Sequence, residues 1–229
     1  MPWRPRDAPN PIKIEMASNR VNPRAYFFVR GIANLFFNLF TRWQVNGLEN
    51  VPSHGPYLVI TNHIAAPDSP LIMAALPVPV TVFAASTHRH DFVIGELMNQ
   101  LGAIWVKRGE VDRQALRAAI DVLQAGSVVG MAPEGTRSKT KALQQGRIGA
   151  AYLATRADVL LLPVAVTGTE TFWTMLMRLK RPTLSVTIGA PFRLPASGRV
   201  STPELEAYTD QIMHVLAAML PEKYRGVYR

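Results

Sequence analysis

His63 and Asp68 stand five residues apart, directly after the β-branched run Tyr57–Thr61. Imidazole is the side chain whose unperturbed charge changes near neutral pH. A carboxylate on one ring nitrogen fixes the tautomer and leaves the other nitrogen free to act as a base. The chain turns between the two residues through Ile64-Ala65-Ala66-Pro67, and Ser69 or Asp68 can cap a helix with Pro70 in its first turn. A loop histidine and a capping aspartate that never meet would give the same spacing. A second apolar run, Ser127–Met131, leads into Ala132-Pro133-Glu134-Gly135-Thr136-Arg137-Ser138. Gly135 permits a turn that offers backbone N–H donors, and the planar fork of Arg137 suits a phosphate. Read alone, this is equally a polar turn. A third run, Ala103–Val106, delivers Lys107 and Arg108 at its end. Two adjacent cations at a strand end are, by themselves, ordinary surface.

These three loops are useful to one another only if the elements before them lie side by side. Short β-branched runs read as strands at Tyr57–Thr61, Val78–Ala84, Ala103–Val106, Ser127–Met131, Leu160–Val166 and Leu184–Ile188. Helix-like stretches separate them at Pro70–Leu76, Asp91–Leu101, Asp112–Ala125, Arg147–Thr155, Glu170–Arg178 and Pro203–Leu220. Alternating strands and helices, with near-continuously apolar strands, predict a single α/β domain. Its sheet should be mixed but mostly parallel, covered by helices on both faces. Open sheets of this kind keep their sites at the carboxyl ends of the strands, where all three loops emerge.

Composition narrows the chemistry. The 229 residues contain 25 Lys and Arg against 16 Asp and Glu, a formal charge of +9, with 48% hydrophobic residues and a mean hydropathy of +0.07. That is too apolar for a disordered chain. The absence of cysteine excludes disulfide scaffolds, thiol nucleophiles and Cys-type metal sites. His88-Arg89-His90-Asp91 reads as a solvated basic loop, since no second ligand group stands out, and no metal site is expected. There is no G-x-S-x-G elbow, Walker A loop or G-x-G-x-x-G. The basic balance calls for anionic partners. No nucleic-acid motif is present, and the aromatic residues concentrate in one helix rather than along a basic sheet, which leaves an acidic membrane surface or phosphorylated small molecules.

That helix lies near the start of the chain. Residues 1–22, with Arg4, Arg6, Lys13 and Arg20 against Asp7 and Glu15 and four prolines, read as an extended basic leader. In the following stretch, Arg30, Asn34, Asn38, Thr41 and Arg42 form one polar stripe, and the rest of the circumference is Phe, Leu, Ile, Tyr, Val and Ala. The stretch is interrupted too often to span a bilayer and lies too deep for a secretory signal. A core helix with one wet edge and a helix lying in the bilayer interface both fit the pattern. The dense aromatics beside arginines favour the interface. The expected organisation is a leader at 1–22, an interfacial amphipathic helix at 23–45 and an α/β domain at 46–229.

Four blocks occur in order: Asn62-His63-x-x-x-x-Asp68, Gly102-Ala-Ile-Trp-Val-Lys107-Arg108, Pro133-Glu134-Gly135-Thr136-Arg137-Ser138 and Leu162-Pro163-Val164-Ala165. Together they resemble the glycerolipid acyltransferase family of the 1-acyl-sn-glycerol-3-phosphate acyltransferase (PlsC) type. The resemblance implies acyl transfer from acyl-CoA or acyl carrier protein to a hydroxyl of 1-acyl-sn-glycerol 3-phosphate, giving phosphatidic acid for phospholipid biosynthesis. Glycerol 3-phosphate, another lysophospholipid or a lysolipid without phosphate are alternative acceptors. It makes His63 the general base and Asp68 its orienting acid, assigns Arg108, Glu134, Gly135, Thr136 and Arg137 to substrate binding, and gives Asn62, Lys107, Ser138 and Pro163 supporting places. Backbone N–H groups near Gly135 are the expected oxyanion donors. No cofactor is implied beyond the acyl-donor substrate, and the expected location is peripheral, on the cytoplasmic face of the cell membrane. The chain departs from the family pattern after Phe83-Ala84-Ala85, where many relatives carry lysines. It departs again at Lys141, where relatives often have glycine, and at Arg147, where they often have lysine.

Overall fold

The computed structural model describes residues 21–107, 112–195 and 200–229. Nearly all of the basic leader, and Arg108, lie outside the described residues. In chain order the elements are α1 (Pro23–Phe40), β1 (Arg42–Asn46), β2 (Tyr57–Thr61), α2 (Asp68–Ala75), β3 (Val80–Ala85), α3 (Ile94–Gln100) and β4 (Ile104–Val106). They continue with α4 (Arg113–Gln124), β5 (Val128–Met131), α5 (Gly149–Ala157), β6 (Leu160–Thr167), α6 (Phe172–Met177), β7 (Thr183–Ile188) and α7 (Thr202–Ala218).

The seven strands form one sheet in the order β1-β7-β6-β2-β5-β3-β4. Every neighbouring pair is parallel except β6 with β7. Successive side chains of a strand point to opposite faces, and both faces are buried. Leu58 and Ile60 of β2 enter a core with α4, α5 and α7, while Tyr57 and Val59 enter a second core with α1, α2 and α6. The helices carry local start signals. Asp112 accepts the Ala115 N–H at 3.0 Å to begin α4. Ser201 and Glu204 form a capping box at the start of α7, with Pro203 in its first turn. The predicted α/β architecture, with a mostly parallel sheet between two layers of helices, is the architecture observed.

One strand lies where a helix end was expected. The helix stops at Phe40, and the Thr41 N–H bonds back to the Phe37 carbonyl at 2.9 Å. Arg42–Asn46 then pairs in parallel with Thr183–Thr187, so the segment predicted as helix to residue 45 contributes an edge strand to the sheet. Its signal is a period-two alternation of half-buried Trp43 and Val45 with exposed Arg42, Gln44 and Asn46. Five residues of alternation are short beside eighteen residues of aromatic helix.

The orientation of α1 is inverted relative to an ordinary surface helix. Its polar stripe faces the protein. Arg30 Nε donates to the Leu76 carbonyl at 2.8 Å, Asn34 Nδ2 to the Ala74 carbonyl at 3.0 Å, and the Tyr26 hydroxyl to the Val78 carbonyl at 3.1 Å. These acceptors lie at and just beyond the C-terminal end of α2, where helix carbonyls have no partner of their own and a cation is favoured. Phe37 packs against Trp43 and Phe172 on the inner side. On the outer side, Phe28, Ile32, Leu35 and Leu39 follow one helical ridge and are 69%, 53%, 60% and 59% exposed. Asn34→Ala is therefore expected to lower stability by about 1 kcal/mol, because it removes the partner of the Ala74 carbonyl. Ile32→Ser and Leu35→Ser should each change it by less than about 0.5 kcal/mol. Urea unfolding of the three variants checks this; the opposite ranking would place the apolar ridge inside.

Candidate active site

The site is built at the carboxyl ends of three adjacent parallel strands, β6, β2 and β5. Strand β2 pairs with β6 as far as Thr61↔Val164. Asn62 then takes over the pairing with its side chain: Nδ2 donates to the Val166 carbonyl and Oδ1 accepts the Val166 N–H, both at 2.8 Å. This buried amide closes the edge of the ladder and frees the backbone to turn away at His63.

The His63 Nδ1 lies 2.8 Å from Asp68 Oδ2. The same oxygen accepts the Ile64 N–H at 2.7 Å and the Ala65 N–H at 2.8 Å. Asp68 is the first residue of α2 and is 1% exposed. An anion suits the N-terminal turn of a helix, and here the carboxylate also closes the turn of the chain that leads into it. Facing a carboxylate, Nδ1 carries the proton, and Nε2 is left as the basic nitrogen. The imidazole remains 18% exposed while its acid partner is sealed. The spacing that was ambiguous in the sequence is a direct contact.

The loop after β5 is tied to the same histidine through its backbone. Glu134 Oε1 accepts the His63 N–H at 3.1 Å, and Oε2 accepts the Gln144 N–H at 3.0 Å. The Ser138 N–H donates to the His63 carbonyl at 2.7 Å, and the Ser138 hydroxyl donates to the Ala142 carbonyl at 2.6 Å. His63 is thus held at its amide, its carbonyl and its ring. Glu134, expected among the substrate-binding residues, is 2% exposed with both oxygens engaged, and its place is that of a strut. Gly135 has φ +71°, a left-handed turn that favours glycine, and its N–H closes onto the Ala132 carbonyl at 3.0 Å. That amide is therefore taken by the turn and is not an oxyanion donor. Thr136 and Arg137 are exposed on this loop, and Arg147 folds back over Gly135.

The remaining predicted residues fall in different places. Lys107 is exposed at the end of edge strand β4, with its N–H on Asp112 Oδ2 at 3.2 Å. Pro163 is buried in β6, and its carbonyl accepts the Gly189 N–H at 2.9 Å where the pairing with β7 ends. It is a buried sheet residue, paired with Ile60 of β2. His88 and Asp91 form an exposed pair at 2.9 Å. Two residues deserve addition. Lys141 adopts φ +63°, a left-handed conformation that glycine takes up most readily, and its Nζ donates to the Ile64 carbonyl at 3.1 Å beside the His63 turn. Thr169, after β6, donates its hydroxyl to Asp68 Oδ1 at 2.5 Å. Nothing local in the sequence marks Thr169, since the contact spans 101 residues.

Burial pushes the Glu134 carboxyl above its ordinary value, against the opposing pull of the Gln144 and His63 amides. A carboxyl raised in the folded state contributes stability that is fully present below the ordinary carboxyl range and is lost as pH rises through the raised value. Glu134→Gln should remove this segment of the pH dependence. Urea midpoints of both proteins across the acidic range should diverge in slope there, and parallel curves would contradict the shift.

A family model described as Acyltransferase matches residues 42–167. Among curated proteins, the chain is 28% identical over 132 residues to the 1-acyl-sn-glycerol-3-phosphate acyltransferase of Borreliella burgdorferi, covering 56% of this chain and 52% of that protein. It is 29% identical over 149 residues to the chloroplastic 1-acyl-sn-glycerol-3-phosphate acyltransferase LPAT1 of Arabidopsis thaliana, covering 63% of this chain and 41% of that protein. The chain thus spans about half the length of these relatives, or less. In fold it is similar to the crystal structure of the 1-acyl-sn-glycerophosphate acyltransferase PlsC from Thermotoga maritima, with a TM-score of 0.66 and 24% identity, covering 82% of this chain and 76% of that one. Because the matched segment takes in more than half of the chain and contains the His63, Glu134 and Pro163 blocks, this chain belongs to the acyltransferase family.

Proposed function

We propose that the chain transfers an acyl group from an acyl thioester, carried by CoA or acyl carrier protein, to the free hydroxyl of 1-acyl-sn-glycerol 3-phosphate, giving phosphatidic acid. The observation that carries this reading is the 2.8 Å contact between His63 Nδ1 and the buried Asp68 carboxylate. With Nδ1 protonated, Nε2 takes the proton of the acceptor hydroxyl as its oxygen attacks the thioester carbonyl carbon. The tetrahedral oxyanion collapses with cleavage of the C–S bond, and the imidazolium returns its proton to the departing thiolate. The thioester brings its own activation, so the transfer calls for no cofactor. Arg137, Lys141 and Arg147 give the loop after β5 a cationic surface next to His63, suited to the phosphate of the acceptor.

Both substrates partition into bilayers, and the outer ridge of α1 supports attachment as a peripheral protein at the cytoplasmic face of the cell membrane. Transferring Phe28, Ile32, Leu35 and Leu39 from water into lipid is worth about 1–2 kcal/mol for each side chain. Arg4, Arg6, Lys13 and Arg20 of the leader add attraction to anionic lipid. Among the described residues no helix is long and apolar enough to cross a membrane.

His63→Ala should lower thiol release from acyl-CoA in the presence of lysophosphatidic acid by about 10²–10⁴-fold while thermal unfolding stays near that of the parent. Undiminished turnover would rule out the base. Arg137→Ala should raise the acceptor KM with little effect on kcat, and a panel of acceptors with and without phosphate reads the headgroup directly. For attachment, the triple change Ile32→Ser, Leu35→Ser, Leu39→Ser should weaken sedimentation with anionic liposomes by more than about tenfold. It leaves intact the Tyr26 and Phe37 contacts that a truncation would remove, and equal binding by both proteins would refute the role of this ridge.

A further inference from the structure

Asp68 is oriented by more than its own loop. Oδ2 takes three donors, all from residues 63–65. Those three leave the carboxylate free to pivot about that oxygen, because none of them reaches Oδ1. The Thr169 hydroxyl, from the turn after β6, donates to Oδ1 at 2.5 Å, and both side chains are 1% exposed. This bond fixes the carboxylate plane from a different strand and so fixes the direction from which Oδ2 meets the imidazole.

The turn that carries Thr169 is itself clamped. Gly168 has φ +87°, and a Cβ there would lie 2.1 Å from the Thr183 carbonyl oxygen, so the chain must pass this point as glycine. The Tyr224 hydroxyl accepts the Gly168 N–H at 3.2 Å and donates to Glu170 Oε1 at 2.6 Å. One phenol therefore grips the residues on either side of Thr169. Lys223 Nζ stands 3.6 Å from the same Glu170 oxygen. Burial, and the Glu170 carboxylate after it, push the Tyr224 phenol upward from a value already above neutral pH. The Tyr224 carbonyl also accepts the Leu143 N–H at 2.8 Å, on the loop that carries Glu134 and Arg137.

We propose that Thr169 is a positioning residue of the His63–Asp68 pair, locked in register by the Tyr224 hydroxyl from the C-terminal segment. The assignment rests on the reading of His63 as the base. Its atoms are a buried hydroxyl engaged by Asp68 and a phenol one step further away.

The test uses Thr169→Val, which keeps the shape and removes the donor, with Thr169→Ser and Tyr224→Phe alongside. Thr169→Val should lower kcat by about tenfold or more. Both KM values should stay within about twofold of the parent. In the substrate-free protein, the same change should displace the His63 Nδ1 proton resonance. Thr169→Ser should restore both readouts, and Tyr224→Phe should move them in the same direction by a smaller amount. If Thr169→Val fails to fold, as judged by circular dichroism, the serine and phenylalanine variants decide the matter through the same readouts. An unmoved resonance, a loss of rate confined to KM, or a serine variant as impaired as the valine variant would overturn the proposal. The resonance is read without substrate. A parent protein with no acyltransferase activity whose resonance still responds to Thr169→Val would therefore refute the proposed function and leave the positioning role standing.

Discussion

A carboxylate taken out of water must be surrounded by donors, since an isolated buried anion is far too costly to persist. Asp68 meets this requirement with four: the His63 ring, two backbone amides and the Thr169 hydroxyl. Hydrogen bonds to a charged group contribute about 1.5–3 kcal/mol each, and their directions are fixed by where the donors come from. The four donors come from the exit of β2 and the exit of β6, two strands that must therefore end at the same level. The sheet delivers this through the parallel register Tyr57↔Leu160 to Thr61↔Val164 and the Asn62 side chain that extends it. The local geometry of one acid thus constrains the alignment of the central sheet.

The same constraint spreads to the other side of β2. Strand β5 is its second parallel neighbour, and its loop returns two ties to the His63 backbone, through Glu134 and the Ser138 amide. Glu134 is buried and its carboxyl is pushed upward, so the strut is held in an environment that disfavours its charge. Such a placement makes sense only if the tie matters more than the desolvation it costs. The exposed cations Arg137 and Arg147 lie on the same loop. A motif that reads as a substrate-binding block in the sequence divides, in space, into a buried residue that places the loop and exposed residues that face outward.

The legibility of the molecule follows from how local its signals are. Each predicted strand from Tyr57–Thr61 onward is present, because a short run of apolar, mostly β-branched residues is a signal contained within three to eight residues. The reactive pair was legible because both members lie on one turn. Thr169 and Tyr224 were not, because each acts on a residue more than fifty positions away and neither stands in a patterned context. Strand β1 was hidden by the aromatic helix before it. Arg30, Asn34 and Asn38 of the polar stripe share one face of α1, while Arg42 lies on β1, and periodicity states only which residues share a face. Which face turns inward depends on the neighbour, and the neighbour here is the carbonyl-rich end of α2.

That inversion connects the proposed membrane surface to the chemistry. A helix whose amides and guanidinium are fastened to carbonyls cannot roll to hide its apolar ridge without leaving Ala74 and Leu76 unpaired. The ridge is therefore held outward by the polar contacts beneath it. Helix α2 receives α1 at its C-terminal end and presents Asp68 as its first residue. Eight residues at about 1.5 Å per residue separate the two ends by roughly 12 Å. On the proposed orientation, the short helix α2 links the base to the element that enters the lipid, with Asp68 at its first turn and the polar face of α1 at its last.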